Sequence, residues 1–366
     1  MAETSALSGS QNIVDDPGCS DEDEAVIDRS GDALTAIDPA FARPGLLELC
    51  LMYNRVEAIE HLHGMHSLKK LNLRANRISR IQGLSGCTSL KELELYENQI
   101  THIEGLEGLH ALQLLDISFN KIERIEGLAN AGLTELRELY LASNLISLTD
   151  GLHNLPSLRV LELGSNKIRT LQSLAHLPQL EELHLGRNKI NSLQPIGRLS
   201  GLRILGVASN RLRSLQGVEQ LSGLRELYAD HNGIESMDEL IELSSLHTLE
   251  LSSNRLKAVA CASLGALEEL WLNDNPIADV SAVAQVGRLT RLKTLYLAGC
   301  PLSKLGTYRA DVLGVAPDSL AQLDADMLPL PQERLQTADW TRSAHEMQLR
   351  NAAEAESDPA DGHPHA

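Results

Sequence analysis

The chain has 366 residues, a formal net charge of −18 and only 3% aromatic residues. An acidic chain without a basic stripe is a poor nucleic-acid binder. Without a run of ~18 apolar residues or an N-terminal apolar segment behind basic residues, we expect neither a membrane span nor a signal peptide. The five cysteines are scattered and never spaced C-x-x-C, which favours an intracellular, reducing compartment.

The N-terminal segment, residues 1–43, is strongly acidic. It holds ten Asp and Glu residues against Arg29 and Arg43, with few large apolar residues. Such a composition cannot bury enough surface to fold alone, so we predict a disordered acidic segment over 1–43. The acidic run from Asp21 to Glu24 suits either a docking tail or a solvated spacer.

An asparagine then recurs at steps of 22 residues, apart from one step of 24 and one of 21. Each ends the pattern L-x-x-L-x-L-x-x-N, as in Leu180, Leu183, Leu185 and Asn188, with another apolar residue at the third leucine position in three repeats, namely Ile117, Val207 and Ala229. A period in the twenties with this pattern is the leucine-rich repeat. We therefore predict an α/β solenoid of twelve repeats over 44–303, with parallel strands on its concave face. The asparagines are Asn54, Asn76, Asn98, Asn120, Asn144, Asn166, Asn188, Asn210, Asn232, Asn254 and Asn275.

The repeated asparagine has a physical role at the turn that follows each strand. Backbone groups lose their ladder partners there, and an amide side chain can both donate and accept. We predict that this column of asparagines bonds the backbone at every turn. Cys300 stands where the last asparagine belongs, which we interpret as a less demanding terminal turn.

The repeat pattern breaks after residue 303. Tyr308, Val312 and Leu313 are spaced for a helical turn, which Pro317 then ends. A solenoid needs a cap over its last repeat, so we assign residues 304–332 to a C-terminal cap. We predict a weakly ordered acidic tail over 333–366.

Catalytic and metal-binding motifs are missing from the sequence. There is no P-loop, no G-x-G-x-x-G after a strand, no H-E-x-x-H and no G-x-S-x-G. His61, His63 and His66 lie close together, but we interpret them as surface histidines of the first repeat rather than metal ligands. We therefore expect a protein that is not an enzyme and has no catalytic residue, cofactor or metal.

One position of the repeat carries most of the functional information. The residue between the second and third apolar positions should project from each strand into the hollow of the solenoid. These twelve residues, called the central column, are Cys50, Asn72, Glu94, Asp116, Tyr140, Glu162, His184, Gly206, Tyr228, Glu250, Trp271 and Tyr296.

The composition of the central column favours protein binding. Aromatic residues on a rigid face are typical of binding hot spots, and the surrounding acids favour a basic partner surface. The alternative is a generic solvated sheet face, with Tyr and Trp present for their strand propensity. The candidate partner-binding residues are Asp116, Tyr140, Glu162, His184, Tyr228, Glu250, Trp271 and the neighbouring Glu269.

Several stretches resemble one known family. They are "LDISFNKIERIEGL" at 115–128, "LELGSNKI" at 161–168, "LEELHLGRNKI" at 180–190, "LEELWLNDNPI" at 267–277 and "YRADVLGVAPDSLAQLDA" from 308. Together they look like the leucine-rich-repeat regulatory subunit of type-one serine/threonine protein phosphatase, over about 44–329. The resemblance implies a non-catalytic subunit that binds the phosphatase catalytic subunit through its concave face, in nucleus and cytoplasm.

The resemblance also bears on individual residues. It matches Asp116, Glu162, Tyr228, Glu269 and Trp271, and it expects an aromatic residue at both 140 and 184. Tyr140 meets that expectation and His184 departs from it.

Two other readings stay open beside the resemblance. Adaptors of ciliary or dynein-arm machinery use similar repeats and caps, whereas secreted recognition receptors usually carry cysteine-rich caps, which this chain lacks. We expect a monomer when alone, and neither nucleic acid nor a membrane as a partner. The sequence leaves open whether a third regulatory protein joins.

Overall fold

A computed structural model describes residues 25–329, in which fifteen short strands form one sheet whose order follows the chain. Strands β1 to β14 pair in parallel, and β15 returns antiparallel to β14. The strands are β1 Val26–Asp28, β2 Glu48–Cys50, β3 Lys70–Asn72, β4 Glu92–Glu94, β5 Leu114–Asp116, β6 Glu138–Tyr140, β7 Val160–Glu162, β8 Glu182–His184, β9 Ile204–Gly206, β10 Glu226–Tyr228, β11 Thr248–Glu250, β12 Glu269–Trp271, β13 Thr294–Tyr296, β14 Gln322–Leu323 and β15 Asp326–Met327.

Strands β2 to β13 coincide with the twelve predicted repeats. The middle residue of each is a fully buried leucine, such as Leu183 in β8 and Leu205 in β9, and these leucines lie opposite one another in register. Because side chains alternate along a strand, the residues on either side of each leucine face away from the core. One apolar core therefore runs behind the whole sheet, from Ile37 to Leu323.

The opposite side of each repeat packs short helices and turns over this core. In one repeat Leu171, Leu174 and Leu177 are buried beneath a 3₁₀ helix. The described residues contain one α-helix, α1 (Tyr308–Val315). The 3₁₀ helices are Pro39–Phe41, Glu126–Leu128, Gln172–His176, Gln194–Arg198, Val218–Gln220, Asp238–Leu240, Val280–Arg288 and Pro301–Lys304.

The asparagine column forms the predicted ladder of hydrogen bonds. The Nδ2 group of Asn166 donates to the carbonyls of Leu163 (3.0 Å) and Leu141 (2.9 Å), the latter in the preceding repeat. Its Oδ1 accepts the N–H of Ile146 at 3.0 Å. The same bonds span the longer step, where Ile122 donates to Asn144 at 3.0 Å. The prediction that the column of asparagines forms hydrogen bonds with the backbone at the turns is confirmed.

The residue before each ladder asparagine adopts a left-handed backbone. Arg187, for example, has φ +55° and His231 has φ +51°. This conformation is uncommon for residues other than glycine, so the ladder holds each repeat in a strained turn. The last repeat, where Cys300 replaces asparagine, has Gly299 at this position with φ +78°.

The N-terminal end of the sheet differs from the prediction. Strand β1 pairs with β2, and Ile37 and Phe41 are buried against the first repeat. The N–H of Leu34 donates to Asn54 Oδ1 at 2.9 Å, which extends the ladder into this segment. The prediction of disorder over 1–43 is therefore wrong for residues 25–43: strand β1 pairs with the otherwise open edge of β2, and Ile37 and Phe41 are buried in the core. Residues 1–24 lie outside the described residues.

The C-terminal end carries helix α1 and the β14–β15 hairpin, where the sequence predicts a cap. Helix α1 ends before Pro317, as predicted. Asp324 Oδ1 accepts the N–H groups of Leu297 (2.7 Å) and Ala298 (2.8 Å), and its Oδ2 accepts from the Tyr308 hydroxyl at 2.6 Å. One carboxylate thus accepts the two backbone N–H groups that follow the last repeat strand, β13. The predicted tail, 333–366, lies outside the described residues.

Cys300 makes fewer contacts than a ladder asparagine. Its thiol is buried and donates to the carbonyl of Leu272 at 3.3 Å, and burial raises its pKa. Asp324 accepts the N–H groups of Leu297 and Ala298, so the cap contributes hydrogen bonds at the end of this repeat. That the last turn is less demanding than the others stays an interpretation.

Candidate functional site

The register of the sheet places the central column in a single row along the concave face. Each member lies opposite the next, as in Glu162 opposite His184 and Trp271 opposite Tyr296. Seven of the eight candidate residues belong to this row. Glu269 instead lies opposite Thr248 and Thr294, in the adjacent row. The predicted alignment of the column is confirmed, whereas its role in binding stays a prediction.

Tyr140 and Glu162 form one acidic and aromatic site within the row. The Tyr140 hydroxyl donates to Glu138 Oε2 at 2.8 Å, and burial together with Glu138 raises the pKa of Tyr140 to about 12. Glu162 is half-buried beside it, and burial raises the pKa of its carboxyl, although the Gly164 N–H donates to Oε1 at 2.6 Å and opposes that shift. The tyrosine therefore stays neutral near pH 7 and its ring is held in place.

The same arrangement recurs four repeats further on. The Tyr228 hydroxyl donates to Glu226 Oε2 at 2.8 Å, and burial with Glu226 raises its pKa to about 12. Burial likewise raises the pKa of Glu250, whose Oε1 accepts the N–H of Ser252 at 2.9 Å. With strands spaced about 4.8 Å apart, the two sites are separated by roughly 19 Å along the sheet.

His184 and Gly206 lie between these two sites. His184 Nε2 is 3.8 Å from Glu182 Oε2, so the imidazole faces the acids of its own strand. A Cβ added at Gly206 would lie 3.2 Å from His184 Nδ1. The glycine therefore leaves room for the imidazole where the resemblance expects an aromatic ring.

Asp116 lies one strand before Tyr140. Its Oδ1 accepts the N–H of Ser118 at 2.9 Å, which fixes the carboxylate against the end of its own strand.

Trp271 and Tyr296 form a stacked pair at the C-terminal end of the row. Their ring centroids are 4.1 Å apart and their planes differ by 3°. The Tyr296 hydroxyl accepts from Gln322 Nε2 at 2.6 Å, so the cap braces the pair. Glu269 is exposed beside it. Because Trp271 is held against another ring, little side-chain entropy remains to be lost on binding.

The N-terminal end of the row is less available to a basic partner. Lys70 Nζ lies 2.7 Å from Glu92 and 3.5 Å from Glu94, and its hydrogen bond with Glu92 raises its pKa. Asn72 is buried and donates to Glu94 Oε2 at 2.8 Å. These acids are therefore already paired within the protein.

Sequence reasoning missed an aromatic group next to this end. The rings of Tyr96 and Phe119 are 4.7 Å apart, and the Arg74 guanidinium lies 4.0 Å from the centre of the Tyr96 ring. Phe119 is 48% exposed. Both rings lie outside the central column, so the column alone could not reveal them. The scarcity of phenylalanine, with two in the chain, was the available signal.

Residues 25–329 offer neither a metal site nor a membrane span. No group of three or more His, Cys, Asp or Glu side chains there could hold a metal ion. In the same part of the chain, no helix has the length and apolar character needed to cross a membrane.

Comparison with known proteins agrees with this geometry. The leucine-rich-repeat family model matches residues 80–122, 90–146 and 147–190. No curated protein sequence matches the chain. The fold is that of a leucine-rich-repeat solenoid, and residues 80–190 also match the leucine-rich-repeat family in sequence.

Several solved structures have a similar fold. An internalin, InlF, from Listeria monocytogenes has a TM-score of 0.62 at 24% identity over 80% of this chain and 90% of its own. A Leptospira interrogans leucine-rich-repeat protein has a TM-score of 0.55 at 20% identity, over 82% and 96%. The functional domain of InlJ from Listeria monocytogenes has a TM-score of 0.64 at 20% identity, over 84% and 64%. At these identities the likeness concerns the fold alone.

Proposed function

We propose that this chain is a non-catalytic regulatory or scaffold subunit, which binds the catalytic subunit of type-one serine/threonine protein phosphatase through its concave face. The observation that carries the proposal is the set of braced aromatic rings beside carboxylates in one row: Tyr140, Tyr228 and the Trp271–Tyr296 stack. The resemblance of the stretches at 115–128 and 267–277 to that regulatory family supports the choice of partner.

The physical basis of binding is a rigid and acidic aromatic surface. Rings already fixed by hydrogen bonds or stacking lose little entropy on association. Half-buried acids such as Glu162 and Glu250 contribute most to the binding free energy when a basic side chain of the partner replaces water beside them. The partner surface should therefore be basic where it meets the row and should have pockets for the rings.

The proposal extends to cellular context. A regulatory subunit of this kind acts in nucleus and cytoplasm, where it controls the assembly, activity and location of the phosphatase. It is a monomer on its own, and the proposal leaves open whether a third regulatory protein joins the pair. Leucine-rich-repeat scaffolds are suited to protein–protein interaction in general, which leaves an adaptor of ciliary or dynein-arm machinery as the alternative outcome of the test.

Titration calorimetry of the full chain against the purified catalytic subunit tests the proposal. A buried aromatic anchor contributes about 2 kcal/mol or more, so Trp271→Ala should weaken binding by about thirtyfold or more. Glu269→Ala should weaken it less, because Glu269 is exposed. The matched control is Glu57→Ala, an exposed residue that follows the first ladder turn, and it should bind like the parent.

The possible results separate the claims. A parent chain that does not bind the catalytic subunit removes the phosphatase proposal. Parent-like binding by Trp271→Ala, with an unchanged circular dichroism spectrum, removes the concave-face site but leaves the partner. Recovery of tubulin or dynein components without phosphatase in a pull-down favours the adaptor alternative.

A further inference from the structure

The helical side of the solenoid carries a surface cavity of about 490 Å³ that is separate from the central column. It lies where two consecutive repeats meet, between the 3₁₀ helices Gln172–His176 and Gln194–Arg198. His176 and Arg198 end these helices at equivalent positions, ten residues after Asn166 and Asn188. The cavity is therefore built by the packing of two neighbouring repeats, and His176 and Arg198 come from equivalent positions of those repeats.

The residues that line this cavity are unusual for so acidic a chain. Arg169, His176 and Arg198 are among them, and no Asp or Glu is. All three are exposed, and no ion pair with a carboxylate involves any of them within the part of the chain that the structure describes. The positive charge of Arg169 and Arg198 is thus not neutralised locally, although the whole chain carries a net charge of −18.

A second cavity on the same side shows the contrast. It measures about 410 Å³ and is lined by Glu235, Arg255, Lys257 and Pro276. There Arg255 Nη1 lies 3.9 Å from Glu235 Oε1, so an internal carboxylate already serves the arginine. Basic residues on the helical side are therefore not enough by themselves to make an anion site.

We propose that the cavity between residues 169 and 198, here called the basic cavity, binds the phosphate group of a phosphorylated side chain on a protein partner. Guanidinium groups match phosphate oxygens with two parallel hydrogen bonds. Thr170 and Ser192 also line the cavity and add neutral donors. Its volume falls within the range of ligand sites, ~300–1,000 Å³, and exceeds what a bare phosphate fills. A phosphate carried on a side chain therefore fits better than the free ion.

The choice of a protein as the source of the phosphate follows from the fold. Leucine-rich-repeat scaffolds are suited to binding proteins, and an open cavity between exposed helices is accessible to a protruding segment. The site lies on the helical side of the sheet, away from the central column, so it stands independently of the phosphatase proposal.

Fluorescence anisotropy with a labelled glycine pentapeptide that has phosphoserine at its centre tests the assignment. The probe is titrated with the full-length parent and with the double variant Arg169→Gln, Arg198→Gln at low salt. Loss of two charge-assisted contacts should weaken binding by at least about tenfold. Both residues are exposed, so melting temperatures should stay near that of the parent.

The matched control removes the same amount of charge elsewhere. Arg211→Gln with Arg213→Gln changes two exposed arginines two repeats further on, and Arg213 holds the repeat position of Arg169. Neither lines the basic cavity. This control should bind the phosphopeptide like the parent, and inorganic phosphate should compete with the probe on both proteins.

Each remaining outcome overturns the proposal or its choice of ligand. Equal binding of the phosphorylated and unphosphorylated peptides, or no binding of either, removes the phosphate site. Parent-like binding by the Arg169→Gln, Arg198→Gln variant places the site elsewhere. Binding of inorganic phosphate without binding of the phosphopeptide assigns the cavity to a small free anion and overturns the protein partner.

Discussion

Asn166 in the middle of the ladder offers the most direct test of how the solenoid is held together. Its side chain is 8% exposed and bonds four backbone groups: the carbonyls of Leu141, Leu163 and Gly164 and the N–H of Ile146. Replacement by leucine keeps a side chain of similar size but provides neither donor nor acceptor. The carbonyls of Leu141 and Leu163 each keep a second ladder donor, Asn144 Nδ2 at 3.1 Å and Asn188 Nδ2 at 2.9 Å. The substitution therefore removes the ladder acceptor of one backbone group, the N–H of Ile146.

The expected cost follows from that one N–H group. A buried polar group that loses its partner costs about 1–3 kcal/mol. The carbonyls of Leu141 and Leu163 add little, because each keeps a hydrogen bond to a neighbouring ladder asparagine. We therefore expect Asn166→Leu to lower the free energy of unfolding by about 1–3 kcal/mol.

Urea unfolding followed by far-ultraviolet circular dichroism measures this cost. The positive comparison is Leu163→Ala, a fully buried repeat leucine that should cost about 2–5 kcal/mol through the cavity it leaves. The negative comparison is Asn191→Leu, an exposed asparagine outside the ladder, which should change stability by less than about 0.5 kcal/mol. An unfolding midpoint for Asn166→Leu equal to that of the parent would refute the ladder argument.

Three further expectations follow from the caps, the central column and the cysteines. Deletion of residues 305–366 should cause aggregation, because it bares the apolar end of the last repeat; a soluble monomer on size-exclusion chromatography would contradict the cap assignment. Burial raises the folded-state pKa of Glu162 above 4.5, so its ionised form costs stability at neutral pH. Glu162→Gln should therefore raise the urea midpoint at pH 7, and the gain should vanish as the pH falls below 4.5; a gain that grows in acid would show the opposite shift. Burial raises the pKa of Cys87 to about 11 and that of Cys261 to about 12, so mass spectrometry should find both unmodified after iodoacetamide treatment of the native chain at pH 8, and the half-buried Cys50 should be labelled before either of them.

The repeat period was enough to predict the architecture because a solenoid is built from contacts between neighbours. Each unit must place a leucine such as Leu183 inward and an asparagine such as Asn188 at the turn, so the pattern determines strand, turn and register together. The same alternation is enough to put Tyr140, Tyr228 and Trp271 in one row. These inferences needed local spacing only.

The N-terminal segment 25–43 shows that composition alone can mislead. Ten acids in residues 1–43 predict disorder when the segment is considered alone. The edge of β2 and the apolar end of the first repeat supply an external surface, on which Ile37 and Phe41 are buried. Segments of this kind fold against a neighbour, and that neighbour's open edge is not a property of the segment's own sequence.

By itself, the sequence determined the repeat, its asparagine ladder and the row of acids and rings on the concave face, because these depend on positions within one unit. Only the tertiary structure decided which side chains meet across units. The stack of Trp271 on Tyr296, the grouping of Arg74 with Tyr96 and Phe119, and the basic cavity all join residues of adjacent repeats. Such contacts depend on side-chain rotamers and on the curvature with which one repeat packs on the next. The spacing of residues in the repeat specifies neither.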